Sequence, residues 1–145
     1  MRLIHVLVCV GLVLLPAVAL GETYEEKVVA QGGKKMTNPD LTSLFSKSLV
    51  WNFQVVQLAF WNGTVTYKPG GSAVAAWNSQ DASGMPTKGE DTGTLRIDGD
   101  RVCGKWKGIA KGEERCAYWY RMSDARVVTV NATTGAPGTY IDFKP

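Results

Sequence analysis

Histidine is almost absent from this chain: the one imidazole is His5, inside an apolar N-terminal segment. With that segment removed, Ser-His-Asp and Cys-His catalysis and the usual zinc sites lose the base or ligand they need. Cysteine is scarce too, with three residues, Cys9, Cys103 and Cys116. Basic residues are scattered, with no run longer than Lys34-Lys35, and the net charge is only +3. That excludes the strong positive field with which proteins grip nucleic acid or an anionic membrane. The longest apolar run, Leu3 to Leu15, falls short of the roughly 20 residues that a bilayer span requires.

What is present at the N-terminus reads as a secretory leader. Met1-Arg2 supplies the positive start, Leu3 to Leu15 the apolar stretch, and Pro16 to Gly21 the small residues of a cleavage region. Residues 1–21 are therefore expected to be a signal peptide, cut near positions 19 to 21. Residues 22–145 then form one domain, and no membrane span remains. Cys9 follows Val8 rather than a small residue, which argues against lipidation there. Losing Arg2 lowers the net charge to +2. An exported chain of this length, periplasmic or extracellular, has room for a single core.

Residues 22–36 begin with acids and carry Tyr24, Val28 and Val29 at helical spacing before Gly32-Gly33, which predicts a short helix. A second is predicted from Asn38 as cap, with Pro39 at the first helical position and Asp40 at the positive end of the dipole. From Ser48 onward the pattern turns to β. Leu49 to Tyr67 is rich in aromatic and β-branched residues, with Asn62-Gly63 as a hairpin signal. Pro69-Gly70-Gly71 and Asp98-Gly99-Asp100 read as further turns, and residues 78–91 as the longest loop. The expected fold is all-β: an antiparallel meander of roughly seven strands, curled into a small lipocalin-like barrel or packed as a sandwich, after one or two short helices.

Cys103 and Cys116 fall on consecutive strands joined by a polar loop, and in an exported protein they are expected to be bonded to each other. The stretches GTLRIDGDRVCGKW and RCAYWYR, with the Gly-rich hairpin VTYKPGGSAVAAW before them, resemble a family of small exported proteobacterial proteins known only as a domain of unknown function. The likeness spans roughly residues 40 to 143. It departs from the family pattern at Leu95, where the resemblance implies tryptophan. It implies export and β architecture, and brings no chemistry.

Acid-based chemistry has several candidates. Asp91-Thr92-Gly93 matches the short signature of aspartic proteases, but it follows polar residues instead of the apolar strand such a loop requires. Glu90 with Asp91, Asp98 with Asp100, and Glu113 with Glu114 are the acid pairs a glycan hydrolase could use, yet each is expected in a solvated turn or loop. Asp98-Gly99-Asp100 has too few following oxygen ligands for calcium. No metal, cofactor or catalytic residue is assigned. Asn62-Gly63-Thr64 and Asn131-Ala132-Thr133 are glycosylation sequons, which count only in a host that glycosylates its exports.

The aromatic residues are the most informative feature. Trp51, Trp61, Trp77, Trp106 and Trp119 are many large rings for so small a domain. Trp61, Tyr67, Trp77, Trp106, Tyr118 and Tyr120 are the candidate ligand-binding residues, for an apolar pocket or a platform under a sugar ring. Along Tyr118-Trp119-Tyr120 the side chains must alternate, so Trp119 opposes the tyrosines. The expected function is non-catalytic binding of a small hydrophobic or carbohydrate ligand or an envelope protein. The alternatives are a carboxylate-based glycan hydrolase, and an interaction or inhibitor protein acting through loops 78–91 and 108–114.

Overall fold

The structure, a computed structural model, describes residues 21–145. The expected leader up to residue 20, with His5 and Cys9, lies outside the described residues. The elements run α1 Tyr24–Ala30, β1 Lys34–Lys35, α2 Asn38–Leu44, β2 Leu49–Val55, β3 Leu58–Tyr67, β4 Ser72–Gln80 and β5 Pro86–Asp98. They continue as β6 Arg101–Trp106, a 3₁₀ turn Ile109–Gly112, β7 Glu114–Arg121, β8 Val127–Asn131 and β9 Pro137–Phe143. Each strand from β2 to β9 pairs antiparallel with the next, and β9 pairs back onto β2. The result is a closed, up-and-down barrel of eight strands. Closure leaves no free edge among these strands except where one outruns its neighbour. At Tyr120 and Arg121, where β7 extends past β6, the short β1 takes up that edge.

The period of two decides which side chains face inward. On β2 these are Leu49, Trp51 and Phe53, while Asn52 and Gln54 point to solvent. Ala73, Ala75 and Trp77 do the same on β4, and Val102, Gly104 and Trp106 on β6. One end of this interior is plugged. Leu41 of α2 is fully buried, and Phe45 at its C-terminal end meets three rings edge-on: Tyr67 at 4.9 Å, Trp119 at 5.4 Å and Trp51 at 6.3 Å. Such T-shaped pairs add about 0.5–1.5 kcal/mol each beyond simple burial. The Tyr67 hydroxyl donates to the Phe45 carbonyl at 3.3 Å. The plug is tied to the β5–β6 turn, where the Asn38 amide donates to Asp100 Oδ1 at 2.6 Å and its side chain to the Gly99 carbonyl at 2.8 Å.

A second apolar cluster lies outside the barrel. Val28 of α1 packs on Tyr120, Val128 and Val130, with Tyr24, Tyr118, Met122 and Tyr140 around them. Thr23 caps α1, its hydroxyl accepting from the Glu26 amide while the Glu26 carboxylate accepts from the Thr23 amide. Tyr120 donates to Glu25, and burial together with that carboxylate pushes its phenol well above the usual range. The outer faces of β6 and β7 carry the expected bridge: Cys103 and Cys116 sit directly opposite each other with Cα atoms 4.0 Å apart. A loop of this length contributes about 3 kcal/mol in the chain-entropy account.

Four expectations need correction in detail. The α2 cap is Thr37, not Asn38; the Asp40 carboxylate accepts from its amide at 2.8 Å and its hydroxyl at 2.7 Å, and Asn38 is the first helical residue. Asn62-Gly63 is no turn: it lies inside β3, and the hairpin is at Val56-Gln57. A Cβ on Gly63 would stand 2.7 Å from the Trp77 Cα, so this glycine marks a close approach of two backbones. Residues 78–91 are not a loop, because β4 and β5 stay paired out to Gln80 and Pro86. Only residues 81–85 turn, organised by Asp81, whose Oδ1 accepts from Ser83 at 2.9 Å and Met85 at 3.0 Å. Finally, the barrel has eight strands rather than seven.

Candidate functional site

Opposite the plug the barrel is open inside. A cavity of about 300 Å³ runs down from the end where the β2–β3, β4–β5, β6–β7 and β8–β9 connections lie. All five tryptophans of the chain line it. Trp51 and Trp119 form its floor, 4 % and 5 % exposed, and Trp61, Trp77 and Trp106 its upper wall. Trp61 and Trp77 lie 6.4 Å apart in a tilted pair.

Glycine gives these upper rings their positions. Gly89 of β5 sits directly across from Trp77, and a Cβ there would fall 2.4 Å from the indole. Gly93 stands across from Trp106 in the same way, with a Cβ 2.8 Å from that ring. A bare backbone lets each indole lie along the wall instead of standing into the lumen. At this end the lumen keeps its space because the tryptophans of β4 and β6 each face a glycine on β5.

Three of the candidate binding residues therefore come together here: Trp61, Trp77 and Trp106. Tyr67 belongs to the plug. Tyr118 and Tyr120 face outward against α1 and β1, with the Lys35 ammonium 3.5 Å above the Tyr118 ring. As the alternation requires, Trp119 takes the opposite face, inside. Residues outside the candidate set also line the cavity: Trp51, Trp119, Phe53, Arg115, Thr129 and Thr139. Period-two reading from Trp51 along β2 exposes Phe53; nothing local in the sequence marks the two threonines.

Polar groups in the cavity are few. Thr129 is buried, and its hydroxyl oxygen accepts from the Thr139 amide at 2.7 Å and lies 3.2 Å from the Thr139 hydroxyl. The Trp61 indole N–H is buried without an acceptor. Arg115, at the start of β7, is the one charged side chain among the described residues that lines the cavity; it is 64 % exposed, 4.0 Å from Glu113.

The mouth is partly covered by the β6–β7 connection. Asp91 holds it, its Oδ2 accepting from the Gly108 and Ile109 amides at 2.8 Å each, and Ile109 adds an apolar side chain to the cavity wall. These backbone donors hold the Asp91 carboxyl below its ordinary range. Ala110 and Lys111 adopt left-handed φ of 54° and 56°, an uncommon conformation outside glycine. Asp91-Thr92-Gly93 thus anchors a loop, with its aspartate ionised.

The acid pairs have similar structural duties. Glu114 receives both Arg96 nitrogens on the outer wall, at 2.6 and 2.9 Å. Asp98 pairs with Arg96 and Arg101, Asp100 with α2, and Glu113 with Arg115. No carboxylate lines the cavity among the described residues. Asp98 also lies near both cysteine sulfurs, but bonded sulfurs offer no thiolate to a metal.

The molecule is defined by these features as a disulfide-stapled, up-and-down β-barrel with an aromatic-lined interior. Comparison with protein-family models, curated proteins and solved structures finds no match to the chain. Among the described residues no helix is long and apolar enough to cross a membrane.

Proposed function

We propose that the protein is an exported, non-catalytic carrier or sensor that holds a small hydrophobic ligand inside its barrel. The observation behind this reading is the tryptophan-lined cavity of about 300 Å³, apolar over most of its wall and kept open by glycines. Pockets for small molecules have this character, with a few placed polar groups among apolar walls. A sugar would need many more hydrogen-bonding partners than the cavity offers, so a hydrophobic ligand is preferred to a carbohydrate. Covering about 250 Å² of a ligand's apolar surface at about 25 cal/mol per Å² supplies about 6 kcal/mol, a Kd on the order of tens of micromolar. Export is supported by the leader-like residues 1–21, the cystine and the resemblance to exported proteobacterial proteins.

Titration of the mature protein with bicyclic aromatic and medium-chain aliphatic compounds, alongside a set of oligosaccharides, tests the reading. Tryptophan emission should shift saturably with the hydrophobic compounds and stay unchanged with the sugars. No response to any hydrophobic compound would overturn it. A second reading, docking of a protein partner at the mouth, is favoured by the exposure of Leu58, Phe60 and Met85 on the β2–β3 and β4–β5 hairpins. Substituting these three by serine would abolish partner capture while leaving ligand titrations intact.

A further inference from the structure

The polar atoms of the cavity are weighted toward donors. Arg115 brings a guanidinium, which only donates. Trp61 brings an indole N–H with no acceptor among the described residues. Thr129 and Thr139 share one hydrogen bond between two hydroxyls, and the Thr129 oxygen already accepts from the Thr139 amide. Two hydroxyl protons serve one bond, so one proton is left to donate. Among the described residues no carboxylate stands against these donors, and the strand carbonyls are engaged in the barrel's own ladder. All of these donors but the Trp61 indole are also set to one side. Arg115, Thr129 and Thr139 belong to β7, β8 and β9, whereas Trp61 and Trp77 belong to β3 and β4 across the lumen.

We infer that the ligand is a compact ring-bearing carboxylate, its ring against the upper tryptophans and its anionic oxygens toward Arg115 at the mouth. This rests on the open-barrel reading above and deepens it. A space of about 300 Å³, at roughly 30 Å³ per water-sized group, takes on the order of ten non-hydrogen atoms, the size of a bicyclic acid. Arg115 is available to such an anion because Glu113 touches it only at 4.0 Å and is itself 72 % exposed. A buried apolar body with a solvated charge at the rim also spares the ligand the cost of burying its anion.

Calorimetric titration of the mature protein with 2-naphthoate, 2-naphthamide and 2-naphthylmethylammonium separates charge from shape. The acid should bind about fivefold to tenfold more tightly than the amide, the ammonium should bind weakest, and the preference should shrink as salt rises, since Arg115 is mostly in solvent. Arg115→Gln should level acid and amide while leaving amide binding within about twofold. Glu113→Gln, on an exposed side chain that folding does not need, should tighten the acid about twofold and leave the amide unchanged. Equal binding of acid and amide by the wild type, or a preference that survives Arg115→Gln, would sink the inference and leave the barrel's hydrophobic binding standing. No heat with any of the three would remove both.

Discussion

The two ends of the barrel use the same kinds of residue to opposite effect. At the plugged end Trp51, Trp119 and Tyr67 are buried against Phe45 at 4.9–6.3 Å, ring edge to ring face. At the open end Trp61, Trp77 and Trp106 line empty space, because the strand positions facing two of them are glycines. An aromatic side chain is thus a core residue or a binding-wall residue according to what stands opposite it. The chain places stability at one end and capacity for a ligand at the other.

That division predicts a graded series of effects. Trp119→Ala should be the most damaging change, costing about 3–5 kcal/mol in chemical denaturation, because Phe45 and Trp51 lose a packed neighbour. Trp77→Ala at the open end should cost about 1–2 kcal/mol and chiefly weaken ligand binding. Equal losses of stability would break the comparison. Gly89→Val is of comparable size. Its side chain must displace the Trp77 ring, an overpacking cost of about 1–3 kcal/mol, and should abolish ligand titration by closing the lumen. Retained binding in a folded Gly89→Val protein would show that the open wall is not where ligands sit.

The smallest effect should come from Asp91→Asn, which loosens the loop over the mouth without touching the plug. Backbone donors lower the folded carboxyl below its value in the unfolded chain, so its stabilising contribution is present above the ordinary carboxylate range. The contribution is lost as pH falls through the folded pKa. Protection of the Gly108 and Ile109 amides, taken relative to the intrinsic exchange rate at each pH, should therefore fall as the wild type is acidified below about pH 4, whereas the asparagine variant should be weakly protected throughout. Exchange at Val127 and Ile141, deep in the barrel, should stay slow in both. A change at those two residues would mean that the loop and the core open together.

Much of the architecture is legible in the residues themselves. The runs from Ser48 onward read as strands because their large residues alternate, and Pro69-Gly70-Gly71 and Gly99-Asp100 turn where they read as turns. Residues 78–91 resist such reading for a physical reason. The inward positions of β5 include Thr87 and Gly89, so the apolar alternation is missing from the first half of that strand and is supplied by the Trp77 ring of its neighbour. Gly63 misleads in the same way, since its lack of a side chain serves a close backbone approach within a strand. The site follows suit. Trp61, Trp77 and Trp106 share the cavity as candidates, but Tyr67, Tyr118 and Tyr120 are equally aromatic and lie elsewhere.

By itself the sequence determined the class of fold and the pairing of Cys103 with Cys116, because strand propensity, turn chemistry and two facing cysteines are local or nearly local properties. It also determined that Trp119 and its flanking tyrosines face opposite ways, since a strand's side chains must alternate. Only the tertiary structure decided that the meander closes on itself through β2 and β9, which face was the inside, and that the inside stays hollow at one end. Those outcomes depend on residues far apart in the chain: Phe45 filling the space below Trp51 and Trp119, and Gly89 and Gly93 leaving it unfilled above.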